Sequence, residues 1–241
     1  MFDLKGKVAI VTGASRGIGQ AIARAFVESG AQVMAASRRI EKVEGMHTFA
    51  AHTGKEAECA ALVAEAVRAF GKVDVLVNNA GTNPYYGPLL EAPEAAWDKT
   101  FEVNLKGYFW CARELARHLR ARGAPGAIVN VASINGLRGV PLQGVYAMTK
   151  AAVISMTRTL AIELGPAGIR VNAIAPGLVD TRLAAGLVND PSLSAAFLQR
   201  TPLGRVARPD EIAGAALYLA SDAASFTTGE VLVVDGGVTA G

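Results

Sequence analysis

Short runs of β-branched and other apolar residues alternate with longer stretches of helical periodicity, and this alternation is the strongest constraint on the fold. The runs cover residues 8–12, 32–36, 73–78, 127–132, 169–175 and 231–234. Strands that alternate with helices predict parallel pairing, because each connection must cross back over the sheet. The 241 residues suffice for one such domain and are too few for two ordinary ones. We therefore expect a single α/β domain over residues 1–241, a doubly wound parallel sheet with helices on both faces.

Residues suited to chemistry lie close to the ends of these predicted strands. Gly13, Asn78, Ser133 and Pro176 each fall where a different strand finishes. Doubly wound sheets bind their ligands beyond the carboxyl ends of the strands. We therefore expect the functional site at that edge of the sheet.

A glycine-rich turn follows the first strand. Residues 12–19 read TGASRGIG, and a helix is predicted to begin near Ile18. Gly13, Gly17 and Gly19 allow a tight turn and a close backbone approach, and a helix N-terminus favours a pyrophosphate. Taken alone, the motif could be only a strand-to-helix turn. Its place in a βαβ unit predicts a dinucleotide cofactor and a Rossmann-like fold, and it lacks the Gly-Lys-Ser/Thr ending of a nucleotide-triphosphate loop.

A tyrosine and a lysine stand four residues apart, at Tyr146 and Lys150, with Ser133 upstream. On a helix, residues at this spacing share a face. A free phenol has a pKa near ~10, and a neighbouring ammonium favours its ionised form. We expect Lys150 to lower the pKa of Tyr146 towards neutral pH, although an amphipathic helix can carry the same pair by chance.

Composition argues against several other classes of protein. The 24 basic and 21 acidic residues leave a net charge of only +3, without a basic cluster, so nucleic-acid binding is not expected. Cys59 and Cys111 lie far apart and show no metal-ligand or disulfide spacing, so no metal site is expected. No apolar run reaches the roughly 20 residues that a membrane span needs, and the first residues resemble no signal peptide. We expect a cytoplasmic protein that does not bind membranes.

Several motifs together resemble the short-chain dehydrogenase/reductase family, over residues 7–237. They are residues 12–19, Asn-Asn-Ala-Gly at 78–81, Asn104 within Val-Asn-Leu-Lys-Gly, Ser133, Tyr146 with Lys150, Pro176-Gly177, and Val-Asp-Gly-Gly at 234–237. Within the family the chain is similar to 3-oxoacyl carrier-protein reductases. The segments at 52–55 and 83–87 also resemble the carbonyl- and retinal-reducing branch that includes dehydrogenase/reductase member 4.

The resemblance implies four catalytic residues and a reaction. Hydride passes between NAD(P)(H) and a ketone or secondary alcohol, while Tyr146 transfers a proton to or from the oxygen. Ser133 hydrogen-bonds that oxygen, Lys150 holds the nicotinamide ribose and tunes Tyr146, and Asn104 holds a proton-relay water. The residues themselves allow a blander interpretation for Asn104, which is a local bend in a helix.

Cofactor preference is expected from the end of the second strand. A carboxylate there would accept the ribose hydroxyl of NAD, but the chain has Ser37, Arg38 and Arg39. With Arg16 nearby, these arginines predict binding of a 2′-phosphate, and hence NADP(H), with NAD(H) as the alternative cofactor. The competing interpretation is a solvated run of surface arginines.

The adenine end departs from the family pattern. Relatives have an aspartate near His52, so His52 or the backbone around Thr53 is expected to take over that contact. The cofactor-binding residues that the motifs and the resemblance imply are Gly13, Ser15, Arg16, Gly17, Ile18, Gly19, Ser37, Arg38, Arg39, His52, Thr53, Asn79, Ala80, Gly81, Tyr146, Lys150, Pro176, Gly177, Val179 and Thr181.

Substrate is expected to contact Asn135, Gln143 and Leu178, beside Ser133 and Tyr146. A lid is expected over about residues 180–200, because that segment mixes small and apolar residues after a Pro-Gly turn. The substrate is a small carbonyl or alcohol compound. An acyl carrier protein is an alternative partner, for which Arg138, Arg182, Arg200 and Arg205 would form a basic docking surface, unless these arginines are simply solvated.

The family resemblance also implies a homotetramer, assembled through the helices around Asn104 and Tyr146 and through the C-terminal strand. Two other functions stay open at this point. One is an alcohol or polyol dehydrogenase that works in the oxidative direction. The other, which the complete set of catalytic residues disfavours, is a sensor that binds NADP without chemistry.

Overall fold

Seven parallel strands form one sheet in this computed structural model, which describes residues 2–240. The strands are β1 (Val8–Thr12), β2 (Gln32–Ser37), β3 (His47–Ala50), β4 (Val75–Asn78), β5 (Gly126–Val131), β6 (Ile169–Pro176) and β7 (Val231–Val234). Their order across the sheet is β3-β2-β1-β4-β5-β6-β7. The order reverses between β1 and β4, which therefore flank the crevice where this kind of sheet binds ligands.

Eight α-helices accompany the sheet within the described residues. They are α1 (Gly17–Glu28), α2 (Glu56–Phe70), α3 (Glu94–Phe101), α4 (Gly107–Arg122), α5 (Gly144–Leu164), α6 (Ala185–Val188), α7 (Pro191–Leu198) and α8 (Pro209–Ala220). A π-helical segment, Glu102–Lys106, joins α3 to α4. A short 3₁₀ turn, Ile134–Gly136, precedes α5.

Both faces of the sheet are covered, as the double winding requires. On β1, the side chains of Ala9 and Val11 pack in one cluster with Phe26 of α1 and Leu219 of α8. The alternate residues Val8 and Ile10 pack in a second cluster on the opposite face, with contributions from α2, α4 and α5. Because side chains alternate across a strand, an apolar run with no polar positions is what two buried faces demand. The expected fold class is confirmed.

β1 and β7 have the predicted ends, whereas β2, β4, β5 and β6 differ from the sequence prediction by one or two residues at an end. β4 begins at Val75 rather than residue 73, and the carboxylate of the preceding Asp74 accepts a hydrogen bond from the N–H of Val8 at 2.9 Å. β6 continues to Pro176, which can end a strand although it has no N–H to donate. β3 is a short edge strand with half-exposed residues, so its apolar pattern is weak.

No helix within residues 2–240 combines the length and the apolar character needed to cross a bilayer.

Candidate active site

The floor of the crevice is a hydrogen-bonded clamp between the turns after β1 and β4. The buried Thr12 hydroxyl accepts hydrogen bonds from the N–H groups of Asn79 and Ala80 at 2.9 and 3.1 Å. In return, the Asn79 amide donates to the carbonyl oxygens of Thr12 and Gly13 at 2.9 and 3.3 Å. The side chain of Asn79 therefore holds the glycine turn in place, in addition to lining the cavity described below.

The glycine turn is packed too closely to hold side chains at Gly13 and Gly19. A Cβ on Gly19 would lie 2.5 Å from the carbonyl oxygen of Gly13, and Gly13 itself has a φ of +66°. Helix α1 starts at Gly17, and its N-cap residue Arg16 makes no side-chain cap. The first N–H groups of α1 thus face the turn without side-chain acceptors, which suits a pyrophosphate. These residues fit the dinucleotide that the sequence predicts.

A cavity of about 340 Å³ brings three of the four predicted catalytic residues together. Ser133, Tyr146 and Lys150 all line it, and Tyr146 and Lys150 lie one turn apart on α5. The Lys150 ammonium is buried and donates to the carbonyl oxygen of Val131 at 2.7 Å and to the phenol of Tyr108 at 3.4 Å. Its Nζ lies 5.6 Å from the centre of the Tyr146 ring.

Burial, rather than the lysine, dominates the acidity of this pair. It raises the pKa of Tyr146 to about 12, and the neighbouring Ser133 hydroxyl offsets only part of the rise. Burial also lowers the pKa of Lys150 to about 7. Both groups favour their neutral forms because a low-dielectric site penalises either charge. The expectation that Lys150 lowers the pKa of Tyr146 is therefore wrong for the arrangement described here.

Asn104, the fourth predicted catalytic residue, lies fully buried in the π-helical segment. Its Oδ1 accepts from the N–H of Thr82 at 2.8 Å, and its Nδ2 donates to the carbonyl of Thr82 at 2.9 Å and to Thr149 at 3.3 Å. The side chain thus ties the loop after β4 to α5. The expected irregularity of the helix is present, while the water-holding role stays a prediction.

Basic residues gather in a second cleft beside the glycine turn. Ser15, Arg16 and Arg39 line it, together with Lys42 and Arg24, which sequence reasoning did not single out. The lining also includes two acidic residues, Glu41 and Glu44, so basic residues outnumber acidic ones by four to two. Arg38 is exposed and lies outside this lining, and the Ser37 hydroxyl donates to the carbonyl of Arg39 at 2.7 Å. The basic residues at this cleft therefore differ from those expected: Arg38 is outside the lining, and Lys42 is part of it. Sequence alone could not assign Lys42 to this cleft.

His52 is engaged within the protein, contrary to its expected availability for adenine. Its Nδ1 accepts from the N–H of Gly54 at 3.0 Å, and its Nε2 lies 3.0 Å from Nζ of Lys99. With both ring nitrogens occupied, the side chain has no free group to offer. The neighbouring Thr53 is buried, and its carbonyl accepts from the Cys59 thiol at 3.2 Å.

The remaining predicted residues divide between the cavity and its supports. The cavity lining includes Ile18, Gly81, Asn135, Gln143, Pro176, Gly177, Leu178, Val179 and Thr181. Gly13, Gly17, Gly19 and Ala80 lie behind that lining in the two turns. Thr181 stands 3.2 Å from the position of a Cβ on Gly17, so the segment after β6 packs directly on the start of α1.

The expected lid contains α6 and α7. Leu183, Leu187, Leu193 and Phe197 from this segment line the cavity, and the Asp190 carboxylate caps α7 by accepting from the N–H groups that follow it. Arg200 also lines the cavity, as does Arg138. Arg205 does not belong to an open basic surface, because it forms a bidentate ion pair with Glu211, with one N–O distance of 2.7 Å. The Glu211 carboxylate offsets the charge of Arg205, and the expected docking surface stays a prediction.

The fold and this site define a class of protein, the NAD(P)-dependent oxidoreductases that bind a dinucleotide at the switch point of a parallel sheet. Comparisons with known proteins identify the family within this class. A family model described as enoyl-(acyl carrier protein) reductase matches residues 13–239. The chain is 44% identical over 244 residues to a cis-4-hydroxycyclohexanecarboxylate dehydrogenase of Sinomonas cyclohexanicum, covering 97% of each chain.

Two further matches support the same conclusion. The chain is 37% identical to the dehydrogenase/reductase SDR family member 4 of Bos taurus, over 97% of this chain and 88% of that one. A solved gluconate 5-dehydrogenase from Burkholderia cenocepacia J2315, in complex with NADP and tartrate, superposes with a TM-score of 0.94 at 37% identity, covering 100% of this chain and 98% of that one. The chain belongs to the short-chain dehydrogenase/reductase family.

Proposed function

We propose that this enzyme transfers hydride between NADP(H) and a small carbonyl or secondary alcohol, and works as a ketone reductase. The observation that carries the proposal is the grouping of Ser133, Tyr146 and Lys150 along one wall of a cavity next to the glycine turn. Nicotinamide supplies the hydride when bound. The side chains of the cavity would bind the substrate and transfer the proton.

Ser133 and Tyr146 would act on the substrate oxygen. The Ser133 hydroxyl donates a hydrogen bond where negative charge develops, and the Tyr146 phenol supplies the proton. A phenol whose pKa is raised to about 12 by burial is protonated throughout the neutral range, which suits the reductive direction. Lys150, which donates to the carbonyl of Val131 and to the phenol of Tyr108, keeps one further N–H bond for the ribose hydroxyls. Asn104 would hold the loop and α5 in register.

A small substrate is favoured over an acyl chain on a carrier protein. Two of the three matched relatives are named for a hydroxycyclohexanecarboxylate and for gluconate, which are a ring compound and a sugar acid. The pairing of Arg205 with Glu211 also removes one of the four arginines expected to dock a carrier protein. The alcohol or polyol dehydrogenase alternative uses the same residues in reverse, so the supplied cofactor form and substrate decide direction.

Preference for NADP(H) is supported by the cleft that Arg16, Arg39 and Lys42 share with Ser15. Charge-assisted bonds from arginine to a phosphate are frequently bidentate, and each contributes about 1.5–3 kcal/mol. We therefore expect kcat/KM to be higher with NADPH than with NADH. The His52 ring would contribute little at the adenine end, where the backbone near Thr53 is the remaining candidate.

The test is nicotinamide oxidation measured with a panel of cyclic ketones, keto acids, diketones and ketoacyl thioesters. Tyr146→Phe should lower turnover about 10²–10⁴-fold, because the proton donor is lost. Arg39→Gln should lower kcat/KM for NADPH about 10-fold or more and leave NADH nearly unchanged. Arg38→Gln is the matched control, since that arginine lies outside the cleft. Equal use of both cofactors, or full turnover in Tyr146→Phe, would contradict the proposal.

We also propose that the chain assembles as a homotetramer. Large apolar side chains on its surface support this: Phe109 on α4 is 43% exposed, Ile162 on α5 is 78% exposed, and Phe226 before β7 is fully exposed. Such surface is costly in a monomer and suits burial against other copies. Light scattering should give a mass near four times 25.0 kDa, and a monomeric mass would contradict the proposal.

A further inference from the structure

We propose that the substrate carries a carboxylate, which Arg138 binds at the wall of the cavity while Ser133 and Tyr146 act on the carbonyl. The inference rests on the proposed function and adds the chemical class of the substrate, a keto acid and its hydroxy acid. In the reaction the carbonyl carbon gains hydride from NADPH and its oxygen gains a proton from Tyr146. The carboxylate is unchanged and serves only for recognition.

Arg138 is a cavity residue without a partner. It is half-buried and lines the same cavity as Ser133, Tyr146 and Lys150. Among residues 2–240, no carboxylate lies within 4.0 Å of its guanidinium and no acceptor receives a hydrogen bond from it. A guanidinium is always charged and offers five N–H donors. Partial burial of such a group without an anion is unfavourable, so its position calls for an anionic ligand.

Asp235, whose carboxylate interacts electrostatically with Arg138, does not serve as this anion. Burial works to raise the pKa of Asp235, but hydrogen bonds from Thr239 and Gly237 lower it, with a smaller contribution from the charge of Arg138. One Asp235 oxygen accepts from the N–H of Gly237 at 2.9 Å, and the other accepts from the N–H and hydroxyl of Thr239 at 2.8 and 2.7 Å. The carboxylate is thus committed to the C-terminal turn, and the Arg138 fork stays open.

The segment that carries Arg138 is fixed relative to the predicted reaction centre. Ser133 caps the 3₁₀ turn Ile134–Gly136 by accepting from the N–H of Asn135 at 3.1 Å. A Cβ on Gly136 would lie 2.6 Å from the backbone carbon of Lys150, so the turn packs tightly on α5. Arg138 follows this turn by two residues. The packed turn therefore limits where the backbone of Arg138 lies relative to Ser133 and Lys150, which lets one ligand contact all three.

The rest of the cavity suits a compact carbon skeleton with hydroxyl groups. The Gln143 carbonyl oxygen accepts from the amides of Asn83 and Asn135 at 3.2 and 3.5 Å, which leaves the Gln143 NH₂ and both asparagine oxygens for a ligand. The lid leucines and Phe197 form the apolar side. Arg200, exposed at the end of the lid, adds a second positive charge at the same cavity. A short or cyclic keto acid matches the positive charges, the polar amides and the apolar side of this cavity.

Binding tests the inference independently of turnover. Calorimetry with the full chain and saturating NADP⁺ should show that benzoate binds and that benzamide, its neutral isostere, binds about 10–100-fold more weakly. Arg138→Gln should remove this difference, and Arg138→Lys, which keeps a charge, should restore part of it. Arg182→Gln is the matched control, because Arg182 is exposed and outside the cavity lining. Equal binding of the two probes, or an unchanged preference in Arg138→Gln, would overturn the inference.

Turnover separates this inference from the proposed function. A cyclic keto acid and its carboxamide should both be reduced in a Tyr146-dependent manner, with kcat/KM higher for the acid, and Arg138→Gln should lower the acid-to-amide ratio about 10–100-fold. Reduction of both at equal rates would overturn the carboxylate site and support the ketone reductase. Benzoate binding through Arg138 without reduction of any carbonyl would overturn the reductase and support the anion site.

Discussion

Replacing Thr12 by valine should show how much of the site depends on one buried hydroxyl. The Thr12 side chain is fully buried, accepts from the N–H groups of Asn79 and Ala80, and donates to the carbonyl of Val77 at 3.2 Å. Valine has the same shape and lacks the oxygen. It would leave two partly buried N–H groups without an acceptor, and each costs up to about 1–3 kcal/mol. We expect the free energy of unfolding to fall by about 2–4 kcal/mol, less than the simple sum because the turn can relax.

The assay is urea unfolding at one fixed protein concentration, since an oligomer gains stability with concentration. With a slope of about 2–3 kcal/mol per molar urea, the midpoint should move down by roughly 1 M. Thr12→Ser is the matched control, because it keeps the hydroxyl and loses one buried methyl group, which costs about 1 kcal/mol. Affinity for NADP⁺ should fall with Thr12→Val, because Asn79 and Gly13 would lose their fixed positions.

The stability of Thr12→Val relative to that of Thr12→Ser shows whether the hydroxyl joins the two turns. If Thr12→Val is no less stable than Thr12→Ser, the hydroxyl is not what joins the turns after β1 and β4. A loss of stability with unchanged NADP⁺ affinity would show that the clamp supports the fold without shaping the binding surface.

Three further outcomes can be checked with single substitutions. Gly214 lies in the exposed middle of α8 with open space around it, so Gly214→Ala should raise the free energy of unfolding by about 0.5–1 kcal/mol in the same urea assay. Gly19→Ala should lower the free energy of unfolding by at least ~2 kcal/mol, because its Cβ would meet the Gly13 carbonyl. The kcat/KM for ketone reduction should fall as pH rises through about 7, because the ammonium of Lys150 loses its proton there and kcat/KM reports ionisations of the free enzyme. In Lys150→Met, kcat/KM should be low and should not change with pH. Asp190→Ala should weaken the cap of α7 by about 1 kcal/mol and raise the substrate KM while leaving NADP⁺ affinity unchanged; an unchanged KM would argue against a lid.

The sheet and the glycine turn were within reach of sequence reasoning because their signals are local. An apolar run, three glycines and a helix start lie within one continuous stretch, from Val8 to the first turns of α1. The same holds for Asn104, where an asparagine inside a helical pattern predicted the irregularity that is observed as a π-helical segment. Edge strand β3 gives a weak signal, because half-exposed strands lose the apolar pattern that identifies them.

The acidity of Tyr146 and Lys150 was beyond sequence reasoning for a physical reason. Their spacing establishes that they share a helix face, but it says nothing about how much water surrounds them. Burial acts on both groups and pushes each towards its neutral form, which outweighs their mutual attraction. Similarly, the residue type of His52 indicates hydrogen-bonding ability, and only the fold reveals that Lys99 and Gly54 already use both ring nitrogens.

The neighbouring position of β1 and β4 has a consequence for how the chain becomes functional during synthesis. Ile10 pairs with Leu76, so the first strand waits for a segment far along the chain before one of its two edges is filled. Tyr146 on α5, the proposed proton donor, and the segment around Thr181 emerge later still. Contacts of such long sequence separation form slowly, because the intervening loop must first be ordered. A partly synthesised chain therefore has the glycine turn without the walls that would enclose a dinucleotide. We therefore expect cofactor binding to stabilise the nearly complete chain and to give early folding intermediates little protection from proteolysis or aggregation.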